Sequence, residues 1–308
     1  MPENKPAYIK LFKSGELYER IKHLSGKLQS CNLCPRNCFV NRLKGELGYC
    51  GAGKNLKVAS AFQHFGEEPP LVGSHGSGTI FLSFCNLKCN FCQNYDISHY
   101  GDGEEITSNE LATLMIDLQN KGCHNINFVT PTHFAPQIIA ALPKAIEMGL
   151  SVSIVWNCGG YESLEIVRLL DGIVDIYMPD AKFSNSNHAK QFADAGNYFT
   201  ILKEILKEMF RQVGTLKIDK NGAAFRGLLI RHLVLPKNAA GSKHILKFIA
   251  EALSTDNYVN IMSQYRPCYQ AISDPQIGRA ITNTEFGEAI RLAWKLGLSR
   301  GFRTMPLT

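Results

Sequence analysis

The chain reads as an α/β protein built on a parallel sheet, and three observations point there. From residue 79 onward, short apolar runs of strand character alternate with segments of helical periodicity. Six such alternations occur, and right-handed crossovers between them put parallel strands inside and helices outside. The 308 residues are 45% apolar, enough for one large core, although length alone also admits two domains. The alternation by itself fits either a doubly wound sheet or a barrel.

Ser14 is a candidate N-cap for a first helix, in which Leu17, Ile21, Leu24 and Leu28 form an apolar stripe for packing. Residues 56–65 alternate loosely as a strand and lead into Gly66-Glu67-Glu68-Pro69-Pro70, whose carboxylates either line a site mouth or lie on a solvated turn. Strands follow at 79–84, 125–130, 151–156, 173–178, 227–235 and 258–262. Thr107-Ser108-Asn109-Glu110 is a capping box that opens a helix ending near Gly122. Further helices are expected over 137–148, interrupted by Pro143, and over 163–170, 200–213, 242–253 and 284–296. Asp219-Lys220-Asn221-Gly222 is a turn. The division that follows is 1–75, an N-terminal extension, and 76–308, the α/β body.

A formal charge of +6 and a pI near 8.7 are mildly basic, with no block of like charge, so nucleic acid is not expected as a partner. No apolar targeting region opens the chain and no run of 18 apolar residues occurs, so neither a leader nor a membrane span is expected. Seven of the ten cysteines fall in two metal-spaced groups, a usage that fits a reducing cytoplasm. Cys123, Cys158 and Cys268 remain as small buried side chains.

The first group is Cys31-x2-Cys34-Pro35-Arg36-x-Cys38 with Cys50 beyond it, four thiolates separated by glycine-bearing turns. Such a closed set suits structural zinc or an iron–sulfur cluster. The second is the loop Cys85-x3-Cys89-x2-Cys92 directly after the strand at 79–84. Three thiolates within one turn can hold an iron–sulfur cube and leave one iron open, whereas electron carriers use four. A zinc knuckle or spare buried cysteines are the plainer alternatives for this loop.

In parallel α/β folds ligands bind beyond the strand C-termini. Those ends carry Thr130-Pro131-Thr132-His133, Asn157-Cys158-Gly159-Gly160, Asp180-Ala181-Lys182, Arg231-His232 and Gln264-Tyr265-Arg266. Asp180 and Lys182 alternate out of one strand, so a carboxylate and an ammonium can converge on one ligand; a surface salt bridge is the alternative. His133 and His232 are either catalytic or hydrogen-bonded structural histidines.

Cys-x3-Cys-x-Phe-Cys after a strand closely resembles the cluster loop of the radical S-adenosylmethionine (SAM) superfamily. That resemblance implies a partial (β/α)6 barrel. It also implies a [4Fe–4S] cluster on Cys85, Cys89 and Cys92, shielded by Phe91, whose open iron binds SAM and whose electron yields a 5′-deoxyadenosyl radical. Asp180-x-Lys182 and the Asn157 turn resemble SAM-contacting motifs of glycyl-radical-enzyme activating enzymes. Thr130 and Thr132 stand where that family carries a Gly-Gly-Glu segment for the SAM amino group. Together with His64-Phe65-Gly66-Glu67-Glu68-Pro69, Asn125 to His133 and Arg231 to Pro236, these motifs resemble the PflX-type branch of those activases. The resemblance implies a low-potential electron donor such as flavodoxin or ferredoxin, and a protein or peptide glycine as target. Modification of another peptide or a small molecule, methyl transfer, and a non-catalytic iron–sulfur carrier or metal-stabilised binding protein are the rival readings.

Overall fold

The structure, a computed structural model, describes residues 5–302. Two helices open it, α1 (Tyr8–Ser14) and α2 (Glu16–Gly26). Ser14 does not cap α2, contrary to expectation; it ends α1, and Gly15 at φ +81° makes the left-handed turn between the two. The apolar stripe does what its spacing implies: Leu17 and Leu24 are fully buried where α2 lies against the body.

Among the described residues the sheet has nine strands: β1 (Leu56–His64), β2 (Ser77–Leu82), β3 (Glu104–Ile106), β4 (Asn125–Val129), β5 (Ser153–Cys158), β6 (Ile176–Pro179), β7 (Lys217–Ile218), β8 (Ala224–Leu233) and β9 (Tyr258–Met262). Six of them, β2-β4-β5-β6-β8-β9, run parallel in that order. At one edge β1 pairs antiparallel with β2 and β3 with β1; β7 forms a hairpin with β8 across the Asp219–Gly222 turn. The two ends of the parallel run do not pair among the described residues, so the barrel is open. This is the expected partial barrel, and β1, which precedes residue 75, is hydrogen-bonded into it.

The outer helices follow the strands: α3 (Pro69–Val72), α4 (Ser108–Asn120), α5 (Ala135–Glu147), α6 (Leu164–Leu169), α7 (Ser186–Ala193), α8 (Tyr198–Val213), α9 (Ser242–Ala252) and α10 (Asn283–Lys295). The Thr107–Glu110 box caps α4 reciprocally, and Thr282 with Glu285 does the same for α10. Pro143 does not interrupt α5: burial of Ile138, Ile139 and Leu142 carries the helix through the one missing N–H. Helix α7 was not expected; Asn185 caps it by accepting from the Asn187 and His188 amides.

Apolar side chains form two cores. The larger lies between sheet and helices, with Phe128, Trp156, Phe183 and Tyr198 fully buried. The smaller fills the lower barrel with Val155, Ile176, Met178, Leu216 and Leu229, and Leu71 of α3 joins it. Glu67 and Glu68 are therefore not on a solvated turn: the segment holding them runs against the barrel, and their side chains are almost wholly buried. No helix among the described residues is long and apolar enough to cross a membrane.

Candidate active site

Strands β2, β5, β6 and β8 deliver their C-terminal residues to one cavity of about 480 Å³. Cys85, Cys89 and Cys92 line it together with Asn157, Asp180, Lys182 and Arg231. Local forces hold the cysteine loop before any ligand is considered. Phe84 sits at φ +70°, and its N–H donates to the Ile97 carbonyl. Within the loop the Asn86 amide donates to the Tyr161 carbonyl, the Asn90 N–H to the Phe192 carbonyl, and the Ala271 N–H to the Asn90 carbonyl. Phe91 is buried edge-on against Phe183 and Tyr265, 6.0 Å from each ring centre.

The donor set fits an iron–sulfur cluster. Cys85 Sγ accepts the Leu87 N–H at 3.3 Å and Cys92 Sγ lies 3.2 Å from Ser98 Oγ, contacts that also tune cluster sulfurs. Burial pushes the Cys89 thiol up to about 12 and the Cys85 thiol higher still, so metal charge is what would hold these sulfurs as thiolates.

Opposite the cysteines lies a charge network assembled from three strands. Asp180 accepts from Lys182 Nζ at 2.6 Å on one oxygen and from Arg231 Nε at 2.7 Å on the other. Arg231 Nη2 also donates to Asn157 Oδ1 at 2.7 Å. Burial alone would raise the Asp180 carboxyl, but the Arg231 and Lys182 cations outweigh it and hold it below the usual carboxylate range. For Lys182 the balance is the mirror image: burial would lower it, and Asp180 raises it. The pair is thus no surface salt bridge. Both Asp180 oxygens already serve cations. What faces the cavity with spare donors is Lys182 and Arg231, which have three and five N–H groups in all.

Thr130 and Thr132 part company. Thr130 lines the cavity with φ +60°, unusual for a β-branched residue, its N–H bonded to the Asn157 carbonyl. Thr132 is fully buried and donates to Glu162 Oε1 at 2.6 Å, so its side chain does not line the cavity. His133 and His232 are structural rather than facing the cavity: His133 Nε2 bonds the Ser83 carbonyl, and His232 bridges the Ala181 carbonyl and Ser242 Oγ.

Burial lowers His232 to about 4, below its ordinary 6.5. The folded state therefore binds fewer protons than the unfolded chain between those values. The stability His232 secures near neutrality is lost as pH falls from 6.5 to 4, up to about 3 kcal/mol. Melting temperatures of wild type and His232→Gln should diverge at pH 7 and converge towards pH 4.5; parallel curves would refute this assignment.

Gly160 explains the glycine turn after β5. At φ +73° it lies flush on β6, and a Cβ there would collide with the Asp180 carbonyl and come within 2.9 Å of Tyr198 Oη. Gly160→Ala is expected to cost roughly 2–4 kcal/mol in urea denaturation. A change below 0.5 kcal/mol, on the order of ordinary surface scatter, would show that β6 yields freely.

One feature lay outside the sequence reading: Arg231 had no assigned role, because its partner Asp180 is 51 residues away. Of the two readings of the Glu67–Glu68 carboxylates, Glu67 follows the first: it lines the cavity with His64, whose Nδ1 lies 2.9 Å from Glu67 Oε1.

In the extension, Cys31, Cys34, Cys38 and Cys50 come together around a hairpin closed by the Cys31–Val40 and Phe39–Cys31 backbone bonds. Among the described residues no group of three or more His, Cys, Asp or Glu side chains is arranged to hold a metal ion, the two cysteine groups included.

Comparisons with known proteins agree with this geometry. The family model of the radical SAM superfamily matches residues 79–217, from β2 to β7. The uncharacterized protein MJ0674 of Methanocaldococcus jannaschii is 35% identical over 281 residues, 88% of this chain and 76% of the relative. MJ0808 of the same organism is 23% identical over 265 residues, 80% and 73% of the two chains. The solved structure of HydG, a maturase of the [FeFe]-hydrogenase, is similar in fold at TM-score 0.50 and 11% identity, over 74% of this chain and 52% of HydG. With three cysteines on the loop after β2, a charged strand-end cavity beside them and a matching family model, the chain belongs to the radical SAM superfamily.

Proposed function

We propose that the chain is a radical SAM enzyme of the activating-enzyme type, which takes hydrogen from the α-carbon of a glycine in a protein or peptide substrate. The observation that carries the chemistry is that Cys85, Cys89 and Cys92 share one cavity with the Lys182–Asp180–Arg231–Asn157 network. When bound, a [4Fe–4S] cluster reduced by a low-potential donor such as flavodoxin or ferredoxin would split SAM into methionine and the 5′-deoxyadenosyl radical that abstracts the hydrogen. The three cysteines would hold the cluster. Lys182 and Arg231 would meet the SAM carboxylate, and Asp180 would keep both cations charged and aimed. Thr130 and Asn157 would present backbone and amide groups beside them. The apolar walls, Leu87, Phe91, Val129 and Met262, would keep water from the radical. Glycine as target rests on the resemblance of the Asp180-x-Lys182 and Asn157 motifs to activating enzymes.

The test is anaerobic reconstitution with iron and sulfide, reduction in the presence of SAM, and assay of 5′-deoxyadenosine. Product is expected; none, with a cluster present and reducible, would leave an electron carrier. With α-deuterated glycine in a peptide substrate, deuterium should enter 5′-deoxyadenosine. Product formation without deuterium transfer would refute the glycine target alone.

A further inference from the structure

The roles given to Lys182, Arg231 and Asn157 leave one part of the cavity unused. Strand β1 runs antiparallel to β2, so His64 pairs with Ser77, where β2 begins, whereas the cysteine loop comes after its last residue. In register, His64 therefore lies five residues, about 16 Å, back along β2 from Leu82. The same cavity nevertheless takes in both His64 and Glu67.

The segment carrying Glu67 is fixed before any ligand arrives. Glu68 Oε1 accepts from Asn260 Nδ2 at 3.0 Å, which ties the segment to β9, and Leu71 sinks into the lower core. Strands β1 and β9 belong to opposite margins of the open sheet, so the segment bridges them. His64 is held in turn by aromatic neighbours. Its ring stands edge-on to Phe62 and Phe81, with ring centres 5.4 Å and 6.1 Å away.

Within this frame two acceptors stand open. The Glu67 side chain is only 7% exposed, and one of its oxygens lies 2.9 Å from His64 Nδ1. Its other oxygen has no protein partner among the described residues and, unlike Glu68 Oε2, is not walled in. A carboxylate only accepts, so the His64 proton sits on Nδ1, and in the neutral ring Nε2 is left as an acceptor too. Gly66 keeps the space beside that nitrogen clear: a Cβ there would lie 3.0 Å from Nε2, and Gly66 itself lines the cavity. Among the described residues none of the cavity's cations, Lys182, Arg231 or Arg266, forms an ion pair with Glu67, and the first two are committed to Asp180. A buried carboxylate beside an accepting ring nitrogen is costly until a donor meets them. The ligand that fits brings N–H groups and positive charge.

We propose that Glu67, oriented by His64, receives a cationic nitrogen of the substrate, an ammonium or a guanidinium. The contact holds the substrate in the cavity that the cysteine loop shares, and His64 is its positioning residue. This deepens the reading above and rests on it for the glycine target. The glycine carries the charge either as its own α-ammonium or on a basic residue beside it.

The test is calorimetric titration of three peptides into the anaerobically reconstituted full chain with SAM present. One is a glycine–alanine peptide with a free amino terminus, the second is its acetylated form, and the third is acetylated with a lysine before the glycine. All three are amidated at the other end. At least one of the two cationic peptides should bind about tenfold more tightly than the neutral one, and which does so names the source of the charge. Glu67→Gln, which keeps the shape, should abolish the preference. His64→Phe keeps a ring between Phe62 and Phe81 but loses the hydrogen bond, so it should reduce the preference several-fold. An intact preference there would overturn the part given to His64. Equal binding of the three peptides, no binding by any, or a preference that survives Glu67→Gln would overturn the subsite. So would a loss of SAM affinity in Glu67→Gln as large as the loss of peptide affinity, since Glu67 would then belong to SAM. A wild type that shows the preference but forms no 5′-deoxyadenosine would sink the radical reading and leave the subsite standing.

Discussion

The Cys85→Ala/Cys89→Ala/Cys92→Ala variant will form no detectable 5′-deoxyadenosine, a fall of more than about a thousandfold, on the order of 4 kcal/mol or more of lost catalysis. Each thiolate anchors one iron, and two cannot hold a cube against solvent and competing thiols, so any single substitution should act almost as strongly. The informative half of the result is what survives. The loop is fixed largely by contacts that do not use sulfur: Asn86 to Tyr161, Asn90 to Phe192, Ala271 to Asn90, Arg36 to Asn86. Alanine leaves all of them in place. Compared as iron-free proteins, variant and wild type should therefore melt within a few degrees of each other, which corresponds to about 1–2 kcal/mol. Activity lost with the fold retained assigns the cysteines to chemistry. A large drop in melting temperature would mean that the thiols hold the loop by packing. Persistent product would mean that the cluster sits elsewhere.

How much of this molecule could be read in advance depended on the distance over which its causes act. The parallel strands announce themselves locally, since β4, β5 and β6 are buried apolar runs apart from the half-buried Val129 and the polar Asn125, Asn127, Ser153 and Asn157. The Thr107–Glu110 box is likewise complete within four residues. The cysteine loop is legible because metal chemistry imposes close spacing on its ligands. Tertiary geometry wrote the rest. Whether Asp180 meets solvent, a ligand or Arg231 depends on β6 lying beside β8, and the sequence around Asp180 does not contain that fact. Glu67 and Glu68 look solvated next to two prolines, yet Leu71 draws them against the barrel, where His64 and Asn260 satisfy one oxygen of each. Thr130 and Thr132 are two residues apart and face different surroundings, because the left-handed turn at Thr130 breaks the alternation that a strand would impose. Ser14 has the composition of a cap, but the turn there needs positive φ, and Gly15 supplies it.

Asp180→Ala should be the most damaging single change among the cavity's charged groups. It removes the one carboxylate between Lys182 and Arg231 and leaves two cations facing each other, with side chains only 20% and 18% exposed. Breaking a buried pair from one side typically costs 3–5 kcal/mol, roughly, because the remaining charges lose their counter-ion without regaining water. Urea denaturation near neutral pH should show a loss of about that size. SAM binding should weaken by about a hundredfold, near 3 kcal/mol, since Lys182 and Arg231 would no longer be held in position for the ligand. Asp180→Asn keeps the shape and one acceptor while removing the charge, so it should fall between. The double variant Asp180→Ala/Arg231→Met separates the causes. Removing the second cation should restore much of the stability, because a single lysine can reach water along the open cavity. It should not restore SAM binding, because Arg231 belongs to the binding surface. Recovery of both would mean that Arg231 only balances charge and that Lys182 alone meets the ligand.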